Sequence, residues 1–159
     1  QYICLVPVNL YGPYDNFKFG EAHVIPELMH RFHDGKKMND EEIIFFGTGK
    51  PLRQFLFAED FAKIILRVLF DVNYIDPQPL ICSTDEVSIR QMVETLCIAM
   101  DIDNEKLKND ESMTDGCMKK TVSNEKLKKL YSDIEFISLE VGLKKTYNWF
   151  VQNYENIRK

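Results

Sequence analysis

The chain has 159 residues, 45% of them apolar and 12% aromatic, enough for one packed core and too apolar for a disordered segment. Its net charge of −5 argues against a broad basic surface for nucleic acid, although single Arg and Lys side chains can still hold an anion. The longest apolar stretch, Ile64–Phe70, is interrupted by Arg67 and is far too short to span a bilayer.

In chain order, Tyr2-Ile3-Cys4-Leu5-Val6 reads as a buried strand, ended by Pro7, which cannot donate to a ladder. Asn9 then falls just beyond the strand's carboxyl end, where open α/β sheets bind ligands. On residue chemistry alone, Pro7 to Phe17 is an ordinary strand-to-loop exit, with turn residues at Gly12-Pro13 and Asp15-Asn16. A helix is predicted over Val24–Asp34, with Pro26 in its first turn and Ile25, Leu28, Met29 and Phe32 on its apolar face. His30, Arg31 and His33 fall off that face, and the two histidines read as solvated. A polar loop follows to Glu42, then a strand Ile43–Phe46 closed by Gly47-Thr48-Gly49-Lys50-Pro51.

Phe55-Leu56-Phe57 is the next strand. It leads into a helix over Glu59–Asp71 whose stripe of Phe61, Ile64, Ile65, Val68 and Leu69 is long enough to face a sheet. Asn73 to Pro79 is rich in turn residues, and Leu80-Ile81-Cys82 reads as a strand. Ser88 and Gln91 form a capping-box pattern ahead of Met92, Val93, Leu96 and Met100. Asn104 to Lys120 is charged and lacks periodicity, so no element is predicted there. Ser123 can cap a short helix bearing Leu127 and Leu130. Ser138 can cap a final helix with Leu139, Leu143, Tyr147, Phe150, Tyr154 and Ile157 along one face. Cys4, Cys82 and Cys97 sit in apolar elements and read as reduced core thiols, which suits a cytoplasmic protein. With Cys117 they form no Cys-x-x-Cys pair, so neither a metal site nor a redox motif is expected.

Four stretches carry residues suited to chemistry. The first is Pro7-Val8-Asn9-Leu10-Tyr11-Gly12-Pro13, followed by Asp15-Asn16-Phe17 and Ala22-His23-Val24-Ile25-Pro26. The second is Arg31, in the helix after His23. The third is Phe46 with Gly47 to Phe55, a Gly-x-Gly-x-x-x-Arg-x-Phe segment that places Arg53 before Glu59-Asp60. The fourth is Asp115-Gly116-Cys117-Met118-Lys119-Lys120. Guanidinium forks suit diphosphates, and a histidine, with an ordinary pKa of about 6.5, can give or take a proton near neutrality.

Together these segments resemble GDP-L-fucose synthases, a branch of the extended short-chain dehydrogenases/reductases. The resemblance runs over nearly the whole chain. It implies an α/β fold: a small substrate-binding domain, plus strands and a helix that complete a Rossmann sheet. The chain carries no glycine-rich dinucleotide fingerprint and no Tyr-x-x-x-Lys ahead of its first strand, so it resembles the C-terminal half of such an enzyme, one substrate-binding region without the NADP-binding domain. Two strands would then expose apolar faces that another segment covers.

The resemblance further implies that Pro7, Val8, Asn9 and Leu10 lie at the nicotinamide end of NADPH. It makes His23 the acid–base residue of an epimerisation, close to the cofactor. It assigns Arg31, Phe46, Arg53, Asp115 and Lys120 to a GDP-sugar substrate. Most of the NADPH contacts, the partner cysteine and a homodimer interface would belong to the half not present. On residue chemistry alone His23 also reads as a surface loop histidine, and Asp115 and Lys120 as a charged exposed loop. The implied reaction is conversion of GDP-4-keto-6-deoxymannose to GDP-L-fucose with NADPH. Two alternatives stay open: a different nucleotide-sugar epimerase or dehydratase of the extended family, and a non-catalytic sugar-nucleotide-binding module.

Overall fold

Among the described residues, three small sheets carry the α/β architecture. The computed structural model describes residues 2–71 and 78–158. Strand β1 (Leu5–Pro7) pairs in parallel with β5 (Leu80–Cys82). Strand β4 (Leu52–Phe57) is central to a second sheet, parallel to β2 (Asn9–Tyr11) and antiparallel to β6 (Glu86–Ser88). Strand β3 (Ile43–Phe46) pairs in parallel with β7 (Leu107–Asp110). The helices are α1 (Val24–Met38), α2 (Ala58–Phe70), α3 (Ile89–Ala99), α4 (Glu125–Leu130) and α5 (Leu139–Asn153).

Pro7 does not end the first strand. It is the last residue of β1, opposite Cys82, and the ladder runs one bond further through Val8 N–H to the Cys82 carbonyl (3.1 Å). A proline is tolerated because β5 is the one neighbour of β1 among the described residues, so the absent N–H faces no strand. Asn9 therefore lies within a strand, not in a loop beyond one. The chain turns at Val8 and re-enters a ladder because Phe55–Phe57 of β4 offers its free edge. Cys4, expected in the core, is exposed, whereas Cys82 and Cys97 are buried. Burial pushes the Cys82 thiol up to about 11 and the Cys97 thiol, beside Glu94, up to about 12, which makes both inert.

Helix α1 runs four residues past the predicted end. Gly35 packs where a side chain would collide with Ile43, and Asn39, at φ 56°, closes the helix by donating its N–H to the Gly35 and Lys36 carbonyls. Two expected surface histidines are packed instead. His30 is 4% exposed; its Nδ1 donates to the Phe17 carbonyl (2.8 Å) and its ring stacks on Phe19 at 4.2 Å. His33, half-buried, shares a hydrogen bond with the Tyr147 hydroxyl (3.2 Å), and burial holds its pKa below the ordinary value. The reason is α5, whose Tyr147 and Phe150, with Tyr154 just beyond its end, pack on α1 from a second side. Gly142 lets α5 approach closely, because a Cβ there would run into the Tyr11 hydroxyl.

The larger core lies between α1, α3, α5 and strands β3 and β4. A smaller one joins Ile64 and Val68 of α2 to Leu80, Cys82 and Leu127. Only part of the α2 stripe is used: Ile65 is exposed, and Leu69 and Phe70 are 66% and 75% exposed. Among the described residues its outer face meets no sheet wide enough to cover it. Strands β6 and β7 arise in segments without strand pattern, and the turn-rich connection expected from Asn73 lies mostly outside the described residues.

Of the two serines expected to cap α5 and α4, Ser138 is the N-cap residue, whereas α4 is capped at Asn124. Ser138 Oγ accepts the Val141 N–H (3.3 Å). Ser123 sits one residue before the Asn124 cap of α4 and its Oγ accepts the Glu125 N–H (3.2 Å). Ser88 makes the full capping box: its Oγ accepts the Gln91 N–H (3.1 Å) and Gln91 Oε1 accepts the Ser88 N–H (2.8 Å). Ser88→Ala should cost about 1 kcal/mol of stability. Urea denaturation checks this, and an unchanged midpoint would mean that tertiary packing alone starts α3.

Candidate functional site

A cleft of about 750 Å³ opens where β1 hands over to β2. Pro7 to Leu10 form its floor, Asp15 and His23 one side, and Lys119 to Val122 the other. Asn9 is fixed through its side chain, whose Nδ2 donates to the Gln54 carbonyl on β4 (2.8 Å). His23 is the N-cap residue of α1, with extended backbone (φ −71°, ψ 166°). Its carbonyl accepts the Glu27 N–H, but its ring makes no capping hydrogen bond, so the imidazole remains available to the cleft. Asp15 is half-buried in the same cleft. Burial raises its pKa, opposed by the Asn16 N–H it accepts (2.7 Å) and by the nearby His23 charge.

The opposite side is tied to β4 through its edge and one buried amide. Leu52 N–H donates to the Met118 carbonyl (2.8 Å) and Lys120 N–H to the Leu52 carbonyl (3.2 Å). Gln54, 5% exposed, accepts the Val122 N–H (2.7 Å) and donates to the carbonyls of Val122 (2.9 Å) and Thr84 (2.7 Å). Lys120 is thereby held beside the cleft, while Lys119, which also lines it, pairs with Glu86 at 2.9 Å.

The remaining predicted residues form two further groups. Asp115 closes the glycine turn: one carboxylate oxygen accepts the Thr48 N–H (3.0 Å) and the other the Thr48 hydroxyl. Gly47, at φ 84°, is required there because a Cβ would strike that carboxylate. Gly116 then passes beside Arg53, which is half-buried on β4. Arg53 Nη1 donates to its neighbour's carbonyl at Leu52 (2.7 Å), and no carboxylate lies within ion-pair distance of it among the described residues. Arg31 and Phe46 meet in a separate slot of about 300 Å³, with the guanidinium 4.6 Å from the ring centroid. Val24 lines this slot while its neighbour His23 lines the cleft, so the two openings flank the start of α1.

Residues 1–79 match the NAD dependent epimerase/dehydratase family. The whole chain is 40% identical over 162 residues to a GDP-L-fucose synthase of Dictyostelium discoideum, of which it covers 49%. The first half of the chain thus carries the NAD dependent epimerase/dehydratase pattern, and the whole chain is similar to GDP-L-fucose synthases. A second relative, the GDP-L-fucose synthase of Escherichia coli K12, is 32% identical over 99% of this chain and 51% of its own length. Among solved structures, a GDP-L-fucose synthetase from Naegleria fowleri bound to NADP superposes with a TM-score of 0.93 at 36% identity, over all of this chain and 47% of the other. The chain thus spans about half the length of the relatives it matches.

Within the family segment, Pro7 to Leu10 and His23 converge on the cleft, joined by Lys120 from outside that segment. Arg31, Phe46, Arg53 and Asp115 do not line it. Asp15 and Gln54 join the site as well: Asp15 belongs to the Asp15-Asn16-Phe17 stretch, and nothing in the sequence marks Gln54 as buried.

Proposed function

We propose that this chain is the substrate-binding half of an NADPH-dependent epimerase/reductase that converts GDP-4-keto-6-deoxymannose to GDP-L-fucose in the cytoplasm. The observation that carries this reading is the cleft where Pro7 to Leu10, His23 and Lys120 meet, in a chain that matches GDP-L-fucose synthases over its full length. A volume of about 750 Å³ is in the range of small-ligand sites and accommodates a nicotinamide ring against a sugar ring. In this reading the floor at Pro7 to Leu10 holds the nicotinamide end. His23 takes a proton from a carbon flanking the ketone, and a proton returned on the opposite face inverts that carbon. NADPH supplies the hydride that reduces the ketone. Lys120 and Arg53 neutralise the diphosphate, Arg31 and Phe46 hold the nucleoside end, and Asp115 fixes the turn beside Arg53. The free thiols at Cys4, Cys82, Cys97 and Cys117 suit a reducing compartment.

Titration of the full-length protein with GDP-, UDP- and dTDP-sugars tests the substrate class. Preference for a GDP-sugar is expected, and preference for a UDP- or dTDP-sugar would favour another member of the family. These 159 residues alone should not oxidise NADPH in the presence of the keto sugar. They hold no Gly-x-Gly-x-x-Gly, and their one Tyr-x-x-x-Lys spacing, Tyr14 to Lys18, lies in a turn where Lys18 pairs with Glu21. A falling absorbance at the NADPH maximum with the purified chain would refute this.

A further inference from the structure

Gln54 is a polar side chain buried in the central strand of its sheet. It stands on β4 between Arg53 and the buried run Phe55–Phe57, and it is 5% exposed. Its carboxamide is engaged at every donor. Oε1 accepts the Val122 N–H (2.7 Å), and Nε2 donates to the carbonyls of Val122 (2.9 Å) and Thr84 (2.7 Å). Neither Val122 nor Thr84 belongs to a strand. An apolar side chain would fill the same space without three bonds to satisfy, so packing alone does not call for an amide here.

These bonds tie both sides of the cleft to one residue. The Gln54 carbonyl accepts from Asn9 Nδ2 in the floor (2.8 Å), while its side chain holds Val122 in the wall. That wall, Lys119 to Val122, has no helix or strand of its own beyond one isolated bridge to Leu52. It meets β4 through the Leu52 backbone, which bonds Met118 and Lys120, and through the Gln54 amide at Val122. Ser83 Oγ adds a bond to the Val122 carbonyl (3.2 Å). A segment fixed at one end can swing, whereas one fixed at both ends keeps its side chains at a set distance from the floor. A buried polar network that is fully satisfied is rigid in this way. With Lys119 paired to Glu86, Lys120 is the lysine of this wall offered to an anion.

We propose that Gln54 is a positioning residue that sets the separation between the nicotinamide floor and Lys120, by clamping Val122 with its side chain while its carbonyl holds Asn9. The assignment rests on the reading above, in which Lys120 meets the diphosphate of a sugar nucleotide. Gln54 itself touches neither ligand. The bond from Asn9 goes to backbone, so a change of side chain at Gln54 frees the wall and leaves the floor in place. The two ligands therefore respond differently: affinity for the sugar nucleotide falls and affinity for NADPH holds.

The test is titration calorimetry of the full-length protein with GDP and, separately, with NADPH, in wild type, Gln54→Met, Lys120→Ala and the double variant. Methionine keeps the length of the side chain and removes its hydrogen bonds. Gln54→Met should weaken GDP binding about tenfold and NADPH binding less than about twofold. Lys120→Ala should weaken GDP binding at least as much, and adding Gln54→Met to it should cost little more, because Gln54 acts through Lys120. Unchanged GDP binding in Gln54→Met, equal losses for both ligands, or losses that simply multiply in the double variant would each overturn the assignment. If Gln54→Met does not fold, Ser83→Ala removes a second bond to the Val122 carbonyl and should weaken GDP binding about threefold with NADPH unchanged. Unchanged GDP binding there would overturn the assignment equally. The comparison is made on whichever nucleoside diphosphate wild type holds, since Lys120 addresses the diphosphate and not the base. A wild-type preference for UDP would thus overturn the GDP-sugar reading, while the double variant still decides Gln54.

Discussion

In the full-length enzyme, His23→Gln should slow proton exchange at the carbons flanking the ketone by about a hundredfold or more. A neutral amide has the shape of one edge of an imidazole but cannot exchange a proton near neutral pH. The position offers little else for the side chain to do. His23 caps α1 through its backbone, its ring makes no capping bond, and it is exposed on the cleft. The melting temperature should therefore stay close to wild type. Deuterium uptake from heavy water into the keto sugar, followed by NMR without NADPH, isolates this step from reduction. Wild-type exchange in the variant would make His23 a cofactor contact or a bystander, with another group moving the proton.

The helices were largely legible because each one announces itself locally. Ser88 with Gln91, and Ser138 with Val141, are caps whose partners lie within one turn. Of the short strands, β3 and β5 were legible at their observed bounds and β1 and β4 in part, whereas β2, β6 and β7 were not. Asn9 joins a ladder because Phe55, 46 positions later, presents an edge, and Leu107 pairs with Ile43 across a longer gap. Three or four residues carry too little pattern to foretell such partners. His30 failed for a related reason: one helix shows one stripe, but α1 is packed from two sides, and the second contact belongs to α5.

At the site, motif residues that meet in the cleft were readable by resemblance. The supports were not. Gln54 bonds to backbone 30 and 68 residues away. Asp115 illustrates the limit differently. Its segment was identified, but its carboxylate is occupied by Thr48, so its contribution runs through the turn it closes beside Arg53.

Arg53→Ala should weaken binding of GDP and of the GDP-sugar by about 2–3 kcal/mol, roughly 30- to 150-fold, if one charge-assisted contact to the diphosphate is lost. Arg53 is held at its base by β4 and by its own bond to the Leu52 carbonyl, which occupies one of the five N–H donors of a guanidinium. The others have no carboxylate to satisfy them within ion-pair distance among the described residues. A half-buried guanidinium without an acidic partner is suited to an anion brought by a ligand. Lysine at this position should recover only part of the affinity, since an ammonium cannot form the paired contacts of a planar fork. Removing the side chain strands no buried carboxylate, so the melting temperature should move little. NADPH affinity should barely change, because Arg53 lies outside the cleft whose floor is Pro7 to Leu10. Titration calorimetry of the full-length enzyme with GDP, and separately with NADPH, reads both effects. Unchanged GDP binding in Arg53→Ala would remove Arg53 from the site and leave Lys120 as the cation that meets the diphosphate.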